Sequence, residues 1–168
     1  MTDTNTRLPE GCEAHRGALL HFLDDPGNAP DPVDGSLEHL VDGLLVVHNG
    51  KVVTTGHAAD LLPRLPAGTP VTHWDQRLLM PGFIDTHVHM PQLGVMASYG
   101  TQLLDWLETY TFPHEARFSD GDWARAEAQR FTDLLLAHGT TSGLVFCTSH
   151  PASVDALFEA AESRGMGL

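Results

Sequence analysis

The sequence predicts an α/β chain in two parts, a small β-rich, sandwich-like domain over residues 1–79 followed by parallel β/α units over residues 80–168. Two observations predict it. Short β-branched runs separated by turn residues fill the first half, and apolar strands alternate with amphipathic helical segments beyond Met80. Strand, helix, strand, helix at that spacing builds a parallel sheet with right-handed crossovers and helices packed outside.

In chain order, Gly17 to Leu23 is a strand, and Asp24 to Ser36, carrying Pro26, Gly27, Asn28, Pro30, Pro32 and Gly35, is a loop by its turn chemistry. Leu44 to His48 and Val52 to Thr55 flank Asn49-Gly50, a dipeptide that tolerates the positive φ of a type I′ turn, so a β-hairpin is expected there. A brief helix over Ala58 to Leu65 stops at Pro66, and Val71 to Trp74 and Arg77 to Met80 suit edge strands. Gly82 to Val88 is expected as a buried strand, followed by helical segments at Leu103 to Thr109 and Ser119 to His138. Ser119 suits the N-cap of the longer helix and Gly139 its C-terminal left-handed position, with Phe131, Leu134, Leu135 and His138 as its buried stripe. A strand at Thr141 to Thr148 and a helix at Ala152 to Ser163 follow. Gly165 to Leu168 suits a helix cap and the opening of a further strand, so the chain is expected to stop before its architecture is complete.

Composition narrows the function. Nine Lys plus Arg against 22 Asp plus Glu give a net charge of −13, and Lys51 is the single lysine. A chain so acidic has no basic face for a nucleic-acid backbone or an acidic membrane, and neither is expected as a partner. Apolar residues at 42% suffice for a core, while charged residues at 18% are too few for a disordered acidic chain. Cys12 and Cys147 are too few and too far apart for a disulfide framework. No signal segment is visible, and no run approaches the about 18 apolar residues of a membrane helix, so a cytoplasmic location is expected.

Of eleven histidines, His15, His21, His39, His48, His57, His73, His114, His138 and His150 stand singly, and each suits an ordinary surface or core role. His87 and His89 differ, because residues two apart on a strand share a face. Two imidazoles at a strand end can each give one nitrogen to a cation at about 2.0 to 2.1 Å, the usual Zn–N distance. By spacing alone the pair fits equally well as two hydrogen-bonded rings. The preceding Pro81-Gly82 and apolar strand favour the metal, since parallel sheets place ligands at the C-terminal ends of their strands. Val88 between them is expected to point into the helix layer. Two ligands do not make a catalytic zinc site, which needs three or more protein donors. The chain has no His-x-Glu with Pro-Cys-x-x-Cys, no His-Glu-x-x-His, no Gly-x-Gly-x-x-Gly, no P-loop and no Gly-x-Ser-x-Gly.

The string Leu79-Met80-Pro81-Gly82-Phe83-Ile84-Asp85-Thr86-His87-Val88-His89-Met90-Pro91-Gln92 resembles the first-strand signature of the amidohydrolase superfamily. The segment from Tyr99 to Phe118, with Leu104-Asp105-Trp106-Leu107 and Tyr110-Thr111-Phe112-Pro113, is similar to the stretch that distinguishes guanine deaminases from their relatives. The resemblance implies a partial TIM (β/α) barrel, its first two β/α units following the β-rich domain; a whole barrel needs about 250 residues and does not fit in 168. It implies His87 and His89 as ligands of one divalent ion, zinc or else iron. It also implies His89, Met90, Pro91 and Gln92 as purine contacts, with the Gln92 amide on the guanine edge. A loop-capping role is the other use of Gln92, and Asp105, Trp106 and Tyr110 are as well suited to helix surface and packing as to a site. The implied chemistry is hydrolysis of guanine to xanthine and ammonia, by a homodimer acting on a small purine. The family's remaining histidine and aspartate ligands and its proton-shuttling glutamate lie on later strands, so no catalytic group is expected in this chain, and the chain alone is expected to be inactive. Two other readings fit the same residues, an aminohydrolase of pterins, triazines or other purines, and a non-catalytic remnant or half of a split protein.

Overall fold

The computed structural model describes residues 7–28, 30, 31 and 33–168; residues 1–6 of the predicted first domain and Pro32 of the predicted loop lie outside them. The chain is mixed α/β and divides into two compact units, Met1–Pro81 and Gly82–Leu168. Among the described residues no helix is long and apolar enough to cross a membrane.

The first unit is one four-stranded sheet in the order β3-β2-β1-β4, formed by β1 (Glu13–Phe22), β2 (Leu37–His48), β3 (Lys51–His57) and β4 (Val71–Leu79). β2 pairs antiparallel with β1 and β3, and β4 runs parallel to β1 at the edge. The β2–β3 hairpin turns at Asn49 and Gly50, with φ of 52° and 71°. Both values are positive, as a type I′ turn requires. The two short strands expected between Val71 and Met80 are one strand with an irregularity, because Gln76 takes φ 56° and shifts the register between Arg16 and Ala18. Leu23 N–H donates to Ser36 O at 2.7 Å and closes the loop between β1 and β2.

One face of this sheet buries Ala14, Leu44 and Val46 against Ala58 and Leu61 of the short helix α1 (Ala58–Leu61). A second sheet, expected from the sandwich, is absent among the described residues of this unit. The opposite face instead forms an open apolar groove of about 440 Å³ lined by Leu19, Leu20, Leu45 and Leu79 among others. Alternation explains this, since Leu45 lies between Leu44 and Val46 and must point the other way.

The second unit holds two parallel strands, β5 (Phe83–His89) and β6 (Thr140–Phe146). From Leu103 the chain runs helically through α2 (Leu103–Trp106), a π turn at Leu107–Thr111, and α3 (Phe112–Glu115), longer than the helix expected to end at Thr109. Helices α4 (Gly121–Ala137) and α5 (Pro151–Arg164) pack together. The core is Met90, Phe118, Ala124, Ala128, Phe131, Ala156, Leu157 and Ala160, with Val88 and Val145 against it from the strands. Alanines at the helix contact allow close approach, because interaxial distance follows the size of the side chains that meet there.

Three expectations are corrected in this unit. The N-cap of α4 is Asp120, whose carboxylate accepts from Asp122 N–H at 2.9 Å and Trp123 N–H at 3.3 Å, while the Ser119 hydroxyl donates to Ala116 O. A carboxylate at that position also meets the positive end of the helix dipole. Replacing Asp120 with alanine is expected to lower stability by about 1 kcal/mol, measured as a shift in the urea midpoint. The buried face of α4 follows Ala124, Ala128 and Phe131, whereas Leu134 and His138 face solvent. Phe131 and Leu135 of the expected stripe do pack in the core, and small residues carry the rest of the buried face. Finally, the β5 strand expected to be buried leaves Phe83 and Ile84 exposed at 56% and 71%, since the helices cover one face of a sheet that here has two strands. Beyond α5, Gly165 caps the helix at φ 66° and Gly167 bridges parallel to Ser142, beside β6.

Candidate metal centre

The candidate site grows from the end of β5. Asp85 pairs with Gly143 and Val88 with Val145, so β5 spends one residue more than β6 over this stretch. That bulge lies at Thr86 and His87, and Asp85 Oδ1 accepts from His87 N–H at 3.0 Å. Bulges of this kind re-aim side chains at strand ends. Val88 packs into the helix-side core as expected, and the two flanking imidazoles share the other face.

The His87 and His89 Nε2 atoms lie 3.2 Å apart. Two nitrogens at about 2.0 to 2.1 Å from one tetrahedral zinc stand about 3.3 Å from each other. The pair therefore fits as two donors of one ion, with both Nε2 lone pairs turned inward; a single hydrogen bond between rings of unlike tautomer fits the same distance. Among the described residues no three His, Cys, Asp or Glu side chains gather as a metal cluster, so two donors are what this chain brings together.

The remaining predicted contacts separate by burial. Met90 is fully buried in the core and Pro91 is buried beside it, both at the start of the Met90–Val95 turn. Their side chains face inward, which differs from the implied set in which all of His89 to Gln92 meet a ligand. Gln92 is half-buried, and its side-chain amide has no hydrogen-bond partner among the described residues. Asp105 is exposed, and half-buried Trp106 packs against Gly100, where an added Cβ would lie 2.7 Å from the Trp106 Cβ.

Sequence reasoning missed two features. Phe146, at the end of β6, lies against both imidazoles, with ring centroids 4.8 Å from His87 and 4.6 Å from His89. Nothing in the sequence marks it, because its partner depends on strand register. His114 packs edge-on to Trp123 at 5.9 Å and sits so close to Gly94 that an added Cβ there would approach its Cε1 to 2.4 Å. It braces the turn that follows the histidine pair. Its Nε2, Trp123 Nε1, Thr111 Oγ1 and Glu127 Oε2 are buried without partners among the described residues.

Cys147 follows Phe146 but turns toward the helix-side core. Burial pushes its thiol up, with a hydrogen bond from Ser153 opposing. Its alkylation by iodoacetamide is expected to be slow near neutrality and to keep rising with pH beyond the ordinary thiol range.

With this geometry in place, comparison with known proteins defines the class. The profile of the amidohydrolase family matches residues 78–168, and the chain belongs to that family. Within it, the chain is similar to the guanine deaminase of Escherichia coli (strain K12), 43% identical over 93% of this chain and 35% of the relative. Against the solved structure of Escherichia coli guanine deaminase the TM-score is 0.84 at 40% identity, covering 92% of this chain and 35% of that one. A probable guanine deaminase of Deinococcus radiodurans is 38% identical over 90% of this chain and 35% of its own. Guanine deaminase from Bradyrhizobium japonicum superposes with a TM-score of 0.82 at 36% identity, covering 92% and 33%. The chain thus spans about a third of the length of the relatives it matches.

Proposed function

We propose that this chain is part of a guanine deaminase, a zinc-dependent enzyme that hydrolyses guanine to xanthine and ammonia. The observation that carries the proposal is the convergence of the His87 and His89 Nε2 atoms, 3.2 Å apart, in a chain whose likeness to guanine deaminases runs through nearly all of it. In the overall reaction one water oxygen bonds to the amino-bearing ring carbon, the carbon–nitrogen bond breaks, and the nitrogen leaves as ammonia. Bound zinc supplies Lewis acidity, lowering the pKa of water toward about 7; iron is the other candidate for the site.

His87 and His89 would hold the ion through their Nε2 atoms. The Gln92 amide both donates and accepts, matching the alternating edge of a purine without imposing charge, and the buried Met90 and Pro91 fix the turn that presents it. His89 is proposed to contact the purine as well. The remaining metal ligands and the proton-carrying glutamate come from residues beyond these 168, so the isolated chain is expected to be inactive. Residues 1–79 and 80–168 are proposed as domains, the second contributing the first two β/α units of a barrel, in a cytoplasmic homodimer.

The test is turnover by the full-length protein on a panel of guanine, adenine, pterins and triazines. Guanine is expected to be strongly preferred, and Gln92→Ala is expected to raise KM for guanine on the order of 10-fold with metal content unchanged. Inactivity on guanine alongside turnover of another amino-heterocycle would contradict the proposal.

A further inference from the structure

We propose that Phe146 is a positioning residue whose ring holds the His87 and His89 imidazoles in the convergent orientation; this rests on the proposal that the two histidines bind metal. Phe146 is the register partner of His89 across the β5–β6 pair. Directly paired residues of neighbouring strands project to the same face, so the phenyl ring is delivered to the histidines by the sheet itself. It stacks on His89 with planes 11° apart and lies tilted by 39° against His87, while the two imidazoles are tilted by 44° to one another. One ring therefore touches both.

Such a wall does for a ring what a hydrogen bond ordinarily does. A metal-binding histidine ordinarily donates its second ring N–H to a carboxylate or carbonyl, which fixes the ring's rotation. Neither His87 nor His89 has an Nδ1 hydrogen-bond partner among the described residues, and the Asp85 carboxylate is engaged by the His87 backbone N–H. Rotation about the Cβ–Cγ bond is broad for an imidazole. Contact with a flat aromatic face removes that freedom, leaving the two Nε2 atoms aimed at one point.

The experiment compares wild type, Phe146→Leu, Phe146→Ala, Phe146→Tyr and His87→Ala in the full-length protein. Zinc affinity is read by competition with a chromophoric chelator, histidine ring-proton shifts by NMR of the metal-free protein, and folding by thermal melting. Phe146→Leu and Phe146→Ala are expected to weaken zinc about 10- to 100-fold, the usual loss when an orienting partner is removed. The His89 ring protons are expected to move as the ring current disappears, with Phe146→Tyr restoring both the affinity and the shifts. Zinc affinity in a folded Phe146→Leu protein equal to wild type, or unmoved His89 resonances, would overturn the proposal, and Phe146→Leu serves where Phe146→Ala does not fold. Full zinc retention in His87→Ala would instead overturn the metal reading on which it rests.

Discussion

Replacing His87 or His89 with alanine in the full-length protein is expected to remove the bound metal and to lower guanine turnover about 10³-fold or more. Each substitution deletes one of the two nitrogens that converge at 3.2 Å. A metal ion contributes several kcal/mol to the stabilisation of charge in such a transition state, and each 1.36 kcal/mol is tenfold in rate. Metal content by atomic absorption and ammonia release check the two halves separately. Stability is expected to change little at His87, whose side chain is exposed. A loss of turnover with metal fully retained would move the histidines from ligand to another role.

The second large effect lies in the core. Phe118→Ala is expected to destabilise the unit formed by residues 82–168 by about 3–5 kcal/mol, the range for removing a buried aromatic ring. Phe118 is completely buried among Met90, Ala124 and Phe131. Its ring also meets His114 edge-on at 6.2 Å. The cavity left by its removal would open beneath Met90, the residue directly after His89, so loosened metal binding should accompany the stability loss. Urea unfolding monitored by far-UV circular dichroism measures it, and a change below about 1 kcal/mol would show that the site collapses around the missing ring.

The parts of this molecule legible in the sequence are those set by local chemistry. Asn49-Gly50 specifies a hairpin because few dipeptides accept two positive φ values, and both appear in the structure. The same-face placement of His87 and His89 is what strand periodicity leads one to expect, and their Nε2 atoms do lie together. What was not legible depends on neighbours distant in sequence. Phe146 meets the histidines only because β6 aligns it with His89, across a bulge that shifts the register by one residue. The buried face of α4 follows alanines that match α5, and hydrophobic periodicity gives such small side chains little weight. Asp120 caps α4 in place of the expected Ser119, and its carboxylate also brings a charge to the positive end of the helix. The inward turn of Met90 and Pro91 was hidden for the same reason, since the core that receives them comes from α4 and α5.

The central claim is that both imidazoles bind one ion. Anomalous diffraction at the zinc edge, from crystals of the full-length protein, tests it most directly. A single peak about 2.0 to 2.1 Å from both His87 Nε2 and His89 Nε2 is predicted. A zinc peak elsewhere, with the two rings left hydrogen-bonded to each other, would contradict it.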